Sequence, residues 1–511
     1  MSLATPDCRG AAIFDVASTP VSSKVIFWLI SAIVLASIAL QIHLGVNPDT
    51  SWNITLAEKV LDGERPNIDF FEINPPMSYF IYVAPTLAAR LTGLSPEFMV
   101  YLFCFLGAAL SVYLASLILA RGRVTDDVTI ERFIFIAISA LFLLPAHAFA
   151  EREHIALIVA TPSIAALIVC ASRAQTDRLL GLLAGVAAGL ALSIKPHFGF
   201  FFLFGFLYAA RRSSWRAALG HISLHAALAF AALYWIAVAL WLPAFFENVA
   251  PIVSDIYLTA RKALSTLYFD PSFKIWTAMA AALALAARKR IAEPFVAIPA
   301  LSSLGAVIAY LIQGKFWPYQ VYPAFAFMAL AIGPLAVDWV TGPARAYRPY
   351  LGLAAAQTVA GVFALAGLWL AQGGDQRDLE KVVREISPRP SMLAISPDIG
   401  TAYPLTRRVH GVWAGSSFGI WVTALSMAAY ARNPDNVEAA RRYEAYMRLD
   451  RERLVADILS KKPDVILVPD EGWLAWALSH DDIKAALSGY ELRADVDRIS
   501  VFARREKGPE S

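Results

Sequence analysis

Asp49, Glu72, Arg152 and Lys195 are charged residues at the edges of long apolar runs, where a charge is costly and needs a partner or a ligand. Asp49 follows the first apolar run by a few residues and stands beside Pro48. Glu72 lies three residues before Pro75, the first of a proline pair, and proline stiffens the backbone near both acids. A turn reading PAHAFAEREHIAL packs Glu151, Arg152, Glu153 and His154 between two apolar runs with almost no loop. LSIKPHFGF sets Lys195 and His197 around Pro196, and IQGKFWPYQVYP carries Lys315, Trp317, Tyr319 and Tyr322. Interhelical pairing, such as Glu151 or Glu153 with Arg152 or Lys195, would satisfy single residues. Aromatics of this kind also serve as interface anchors. The set as a whole suits transfer of a group from a lipid phosphate. A carboxylate removes the proton of an acceptor hydroxyl, and cations neutralise the phosphate as the sugar–oxygen bond breaks. A cation with aromatics beside it can hold a phosphate and its sugar.

The elements that must carry these residues are membrane helices. The chain is 58% apolar and 17% charged, against about 45–50% and about 25% for soluble domains, which excludes an ordinary soluble enzyme, a disordered chain and a nucleic-acid binder. The charge is unevenly placed: residues 371–511 hold 41 of the 85 Lys, Arg, Asp and Glu. A crossing needs about 20 apolar residues. Candidate spans are 24–43, 98–120, 133–150, 155–172, 179–194, 197–211, 219–242, 273–288, 292–312, 319–337 and 349–370, about 11 in all. The segment 76–92, interrupted by Pro85, reads as interfacial. With it left out, the basic turns Arg121/Arg123, Arg173/Arg178, Arg211/Arg212/Arg216, Arg288/Lys289/Arg290 and Arg345/Arg348 all fall on the cytoplasmic side. The outline is a cytoplasmic tail (1–23), a transmembrane body (24–370) and a periplasmic domain (371–511), in a bacterial inner membrane. The first span reads as a retained signal-anchor.

The first external loop, 44–75, holds apolar residues at helical spacing over 51–61, which predicts a helix lying flat on the membrane. Glu58, Asp62 and Glu64 read as its solvated side. A longer external loop, 243–272, with Tyr257 and Arg261, reads as a mobile segment able to close over a site. In the polar domain, 391–396, 465–469 and 498–505 predict three strands and 434–460 a helix, a small α/β domain. The nearly uncharged stretch 411–430 reads as an apolar surface facing the membrane or the acceptor. Cys8, Cys104 and Cys170 form no metal or disulfide pattern. No nucleotide loop or dinucleotide fingerprint is present.

Asp49, the flat helix behind it, FEINPPMSYF (71–80), EREH (151–154), KPH (195–197) and the polar domain after the last span resemble the GT-C superfamily of polyprenyl-phosphate-sugar-dependent glycosyltransferases. That group includes the protein mannosyltransferases and the lipid A aminoarabinose transferases. The resemblance covers the membrane body. It implies a GT-C-like helical polytopic fold and inverting transfer of a hexosyl or pentosyl group from a polyprenyl-phosphate sugar to an envelope glycan, lipid or protein. It implies that Asp49 activates the acceptor and that Glu72 shapes the same cavity or binds acceptor. Arg152, Lys195 and Lys315 would hold the lipid phosphate, with His154 and His197 secondary. Asp69, Glu151, Glu153, Trp317, Tyr319, Tyr257 and Arg261 are further sugar or lid contacts. No cofactor is required; a divalent metal is compatible, with Asp49, Asp69 and Glu72 as oxygen ligands. The chain departs from the aminoarabinose transferases in having a single Asp at 49, so lipid A is not carried over as acceptor. A transporter or flippase, with ionisable groups near the midplane and internal repeats, and a non-catalytic subunit of a polysaccharide assembly system are the competing readings.

Overall fold

The computed structural model describes residues 23–287, 290–341 and 349–505. Cys8, Arg288, Lys289, Arg345 and Arg348, with the tail they partly belong to, lie outside the described residues. The body begins with α1 (Ser23–Leu44), α2 (Pro48–Leu61), α3 (Met77–Phe80) and α4 (Val83–Thr92). It continues through α5 (Pro96–Gly122), α6 (Asp127–Ile138), α7 (Arg152–Ala171) and α8 (Arg178–Ile194). Then come α9 (Phe200–Arg212), α10 (Trp215–Leu219), α11 (Ile222–Trp241) and the single turn α12 (Ala250–Ile252). α13 (Pro271–Ala287), α14 (Pro294–Gln313), α15 (Pro318–Thr341) and α16 (Pro349–Leu370) close the body. Among the described residues, six of these are long and apolar enough to cross a membrane: α1, α5, α7, α11, α14 and α15.

Predicted span 133–150 is not one helix. α6 passes into a π-helical turn at Ser139–Leu143, and the chain then turns through a short 3-10 helix, Ala146–Ala148. The segment 76–92 forms two short helices, α3 and α4. Close crossings depend on glycine. A Cβ at Gly305 of α14 would lie 1.8 Å from the Phe200 carbonyl oxygen, and one at Gly185 of α8 would lie 2.4 Å from that of Ser223. Small residues of this kind let membrane helices approach closely.

The outer domain holds α17 (Arg377–Ile386), β1 (Ser391–Ala394), α18 (Leu405–Arg408), β2 (Val412–Trp413), α19 (Trp421–Arg432), α20 (Val437–Lys461), β3 (Val465–Pro469), α21 (Asp470–Leu478), α22 (Asp481–Leu487), β4 (Tyr490–Val496) and β5 (Ile499–Arg504). The sheet order is β2-β1-β3-β5-β4, so the three predicted strands are its centre and two more complete it. β1 runs parallel to β2 and β3, whereas β5 is antiparallel to β3 and β4. The β4–β5 turn has positive φ at Asp497 and Arg498, the twist a two-residue hairpin requires. The stretch 411–430 is a two-residue strand, a loop and the start of a 12-residue helix, too short to cross.

The outer domain is stapled to the body. Arg407 reaches Glu58 of α2 with both terminal nitrogens, at 2.8 and 2.9 Å, and its Nε donates to Glu97 at the start of α5. Glu58 is therefore not a solvated loop residue; the domain above it supplies its partner. Asp62 pairs with Arg90, and Glu64 with Lys59.

Candidate active site

α2 is launched by Asn47, whose Oδ1 accepts from the Thr50 amide at 2.7 Å, followed by Pro48 at the first helical position. Asp49 then falls in the first turn, where the helix dipole favours an acid. The Asn47 Nδ2 donates to the carbonyls of His147 and Phe149, so one side chain ties the helix of Asp49 to the 147–151 turn. That turn is strained: Ala146 and Ala150 have φ of +47° and +64°. Phe316, between Lys315 and Trp317, has φ of +55°. Left-handed non-glycine residues cost of order 1–3 kcal/mol each and persist where the surroundings enforce them.

These segments enclose a cavity of about 610 Å³. Asp49, Glu72, Glu151, Arg152, Lys195, Tyr257, Lys315, Trp317 and Tyr319 line it. Arg152 donates to Asp49 Oδ1, and its buried Nε has no protein partner. Burial raises Asp49 above the ordinary carboxylate range, although Arg152 pulls the other way. Lys195 donates to Glu153 Oε1 at 2.6 Å, and Glu153 is fully buried. Glu72 accepts from Trp52 Nε1 at 2.7 Å and from both the backbone and side-chain nitrogens of Asn74. A carboxylate holding three N–H groups is a fixed wall of the cavity. Lys315 donates to the Tyr257 and Ala260 carbonyls and lies 4.2 Å from the centre of the Tyr257 ring. Burial, with Arg261 and Arg432 adding repulsion, pulls it down to about 8.

Five expected residues do not line the cavity. Glu153 is turned toward Lys195. His154 spends both ring nitrogens on the backbone, Nδ1 with the Ala150 amide at 3.0 Å and Nε2 with the Leu141 carbonyl at 2.8 Å. His197 packs edge-on against Phe198, with Nε2 buried and unpartnered. Asp69 is exposed and holds Arg65 in a two-point ion pair, so Asp49, Asp69 and Glu72 do not converge as metal ligands. Among the described residues no three His, Cys, Asp or Glu are grouped to hold a metal ion. The donor set also fits poorly, because Asp49 faces Arg152 and Glu72 is filled by N–H donors. Arg261 packs against Gly314, and its neighbour Lys262 lines the cavity instead.

Residues the sequence did not single out complete the wall and roof. His147 and the linker Gln372–Gly374 form one side; Asp398, Phe418 and Trp421 of the outer domain lie above. Trp421 is stacked between Phe71 and Phe418, at 5.9 and 6.3 Å. The 243–272 segment is a series of short helical turns, broken by coil at 260–263, and it is pinned: Asp255 accepts from Arg442 and Tyr446 at 3.0 Å, and Arg432 donates to the Thr259 carbonyl. These contacts are discontinuous in sequence, and only the fold brings them together.

The cavity lies at one end of the bundle. α5 starts at the outer domain, and Arg121 in its last turn is about 40 Å away along the axis. α7 starts at Arg152 in the cavity and ends at Ala171, two residues before Arg173; α8 returns from Arg178 and ends at Ile194, just before Lys195. A second, apolar cavity of about 920 Å³ lies between α1, α6, α15 and α16. Its lining reaches Ala146, one residue from His147 of the polar cavity.

An α-helical polytopic body with an acid just after its first helix, short helices beside it and a small sheet domain over one end is a fold with solved counterparts. Among solved structures, the chain is similar to ArnT from Cupriavidus metallidurans bound to undecaprenyl phosphate (TM-score 0.57, 14% identity), over 96% of this chain and 100% of that one. The apo state of the same protein gives a TM-score of 0.56 at 15% identity with the same coverage. No family model and no curated protein sequence matches the chain.

Proposed function

We propose that the protein is an integral membrane glycosyltransferase. It moves a hexosyl or pentosyl group from a polyprenyl-phosphate donor to an envelope glycan, lipid or protein acceptor, with inversion at the anomeric carbon. The supporting observation is the single cavity in which an acid of raised basicity, Asp49, meets Arg152, Lys195 and Lys315 at one end of an apolar bundle. The donor phosphate lies against these cations, which line the cavity. Asp49 takes the proton of the acceptor hydroxyl as its oxygen attacks the anomeric carbon. The sugar–phosphate bond breaks and the polyprenyl phosphate leaves with the charge the cations neutralise. The apolar cavity suits the lipid tail, and the ArnT structure with undecaprenyl phosphate supports that carrier class.

The basic turns at the far end of the bundle support a cytoplasmic assignment for that end. The cavity and residues 371–511 then face the periplasm of a bacterial inner membrane, with 24–370 as the catalytic body and 1–23 as the cytoplasmic tail. Mass spectrometry of lipid-linked sugars and envelope glycans, with and without the gene, tests the reading. Loss of one glycan modification with accumulation of its lipid-linked donor is expected; unchanged pools refute it.

A further inference from the structure

Asp398 of the outer domain and Trp317 of the body line the cavity of Asp49, and the transfer chemistry above gives neither a task. The cations lie deep: the side chains of Arg152 and Lys195 are 4% and 7% exposed, and Lys315 is buried. Asp398 is exposed and Trp317 is 42% exposed, so both stand at the open side of the same cavity.

Both are also held in place. Asp398 follows β1, and its amide donates to Ser396 Oγ at 3.0 Å. Its Oδ1 accepts from the Gly400 amide at 2.8 Å, and Gln376 Nε2 donates to the Gly400 carbonyl at 2.7 Å. Among the described residues, Oδ2 accepts no hydrogen bond and Asp398 pairs with no cation. Trp317 sits between Phe316, in left-handed backbone, and Pro318. Its amide donates to Gln320 Oε1 at 3.3 Å, and Gln320 Nε2 donates to Gln313 Oε1 at 2.9 Å. Tyr319 backs the indole at 5.9 Å with the planes 30° apart, leaving the rest of an exposed ring open.

A carboxylate repels a phosphate, so Asp398 does not serve the donor phosphate. An ionised carboxylate only accepts, and it matches hydroxyl groups. The negative face of an indole attracts C–H bonds. A sugar ring carries both features, hydroxyls around its rim and C–H bonds across its face. A lipid tail offers Asp398 nothing, and a tryptophan that only anchors the protein in the interface has no reason to line a polar cavity beside Lys262 and Lys315.

We propose that the open side of the cavity is a saccharide subsite for the acceptor, with a sugar lying on Trp317 and its hydroxyls donating to Asp398. The proposal rests on the transfer reading, in which the deep cations take the donor phosphate and the open side is left to the acceptor. It names the acceptor class: a glycan or a glycolipid sugar, not a protein side chain.

Full-length protein in detergent is compared as wild type, Asp398→Asn, Trp317→Leu and Trp317→Phe. The envelope of a strain lacking the gene supplies the lipid-linked sugar and two acceptor fractions. One is the saccharide fraction left by exhaustive protease digestion, glycolipids included; the other is protein freed of lipid and glycan. Wild type is expected to transfer to the saccharide fraction alone. Asn keeps the bond from Gly400 and puts an N–H donor where Oδ2 accepts. Asp398→Asn should therefore melt and bind undecaprenyl phosphate like wild type, while KM for the saccharide fraction rises about tenfold, the lower worth of a hydrogen bond to a charged group. Trp317→Leu, which stays apolar but loses the flat face, should raise the same KM about fivefold. Trp317→Phe should recover most of that loss, and kcat and KM for the lipid-linked sugar should stay unchanged throughout. Unchanged acceptor KM in Asp398→Asn and Trp317→Leu overturns the proposal. So does a Phe variant no better than Leu, which marks Trp317 as an anchor, or a KM rise confined to the lipid-linked sugar, which places the donor sugar there. Transfer to the protein fraction overturns the acceptor class. If wild type transfers to neither fraction, the transfer reading fails first and the subsite falls with it.

Discussion

Replacing Lys195 by Met separates the structural work of the buried ion pair from phosphate binding. Lys195 and Glu153 are 2.6 Å apart, with side chains 7% and 0% exposed. Met fills nearly the same volume, so the change removes the charge, and with it the cation–π contact of Nζ with the Phe198 ring at 5.9 Å, with little loss of packing. Glu153 is left without its cation, and breaking one side of a buried pair costs about 3–5 kcal/mol. At about 2.1 cal/mol/K of unfolding entropy per residue, a 511-residue chain melting as one unit loses about 1.1 kcal/mol per degree, so Tm should fall by about 3–5 °C. The double variant Lys195→Met/Glu153→Gln removes both charges and should recover most of that fall. Binding behaves differently. A hydrogen bond to a charged group contributes about 1.5–3 kcal/mol, so undecaprenyl phosphate affinity should drop roughly 10- to 150-fold in both variants. Thermal melts and titration with undecaprenyl phosphate in detergent measure the two effects. A double variant that binds like wild type would leave Lys195 a purely structural residue. A single variant with unchanged Tm would refute the buried pair.

Arg407→Ala should loosen the outer domain, because Glu58 and Glu97 both lose their partner; limited proteolysis between 371 and 411 should accelerate, with a stability loss of about 3–5 kcal/mol. Lys315, drawn down to about 8, carries its charge at pH 7 and loses it as pH rises through 8. Undecaprenyl phosphate affinity should therefore fall from pH 7.5 to 9, and Lys315→Arg should abolish that fall. Since the lysine pKa is higher in the unfolded chain, the same interval should raise folding stability relative to Lys315→Met. Asp450 is raised to about 6 by burial, against donation from the Thr423 amide and hydroxyl. Its folded pKa exceeds the unfolded one, so outer-domain stability should decline as pH rises from 4 to 6, and Asp450→Asn should flatten that slope in a pH-resolved melt.

The membrane body was legible because long apolar runs and proline-flanked charges leave direct marks in sequence. Asp49, Arg152, Lys195 and Lys315 stood out since nothing apolar explains them. The corrections share one cause: sequence shows which residue is unusual but not what it faces. His154 is as conspicuous as Arg152, yet backbone groups four and thirteen residues away consume it. Glu58 resembled a solvated acid because its partner, Arg407, lies 349 residues along the chain. β2 has two residues, too few to leave a pattern, whereas β4 (Tyr490–Val496) alternates apolar and charged residues, a strand signal present in the sequence beyond the three strands expected from it. Phe418 and Trp421 belong to a stretch whose lack of charge marked an apolar surface. Its role as the roof over Asp49 depends on a domain packing that no local pattern encodes.

The most direct test of the account is transfer by purified Asp49→Asn protein, given lipid-linked sugar and acceptor extracted from the same membranes. Removing a general base costs typically 10²–10⁴-fold, so product should fall by about that factor while undecaprenyl phosphate still binds. Turnover at the wild-type rate would contradict the assignment of Asp49 as the base.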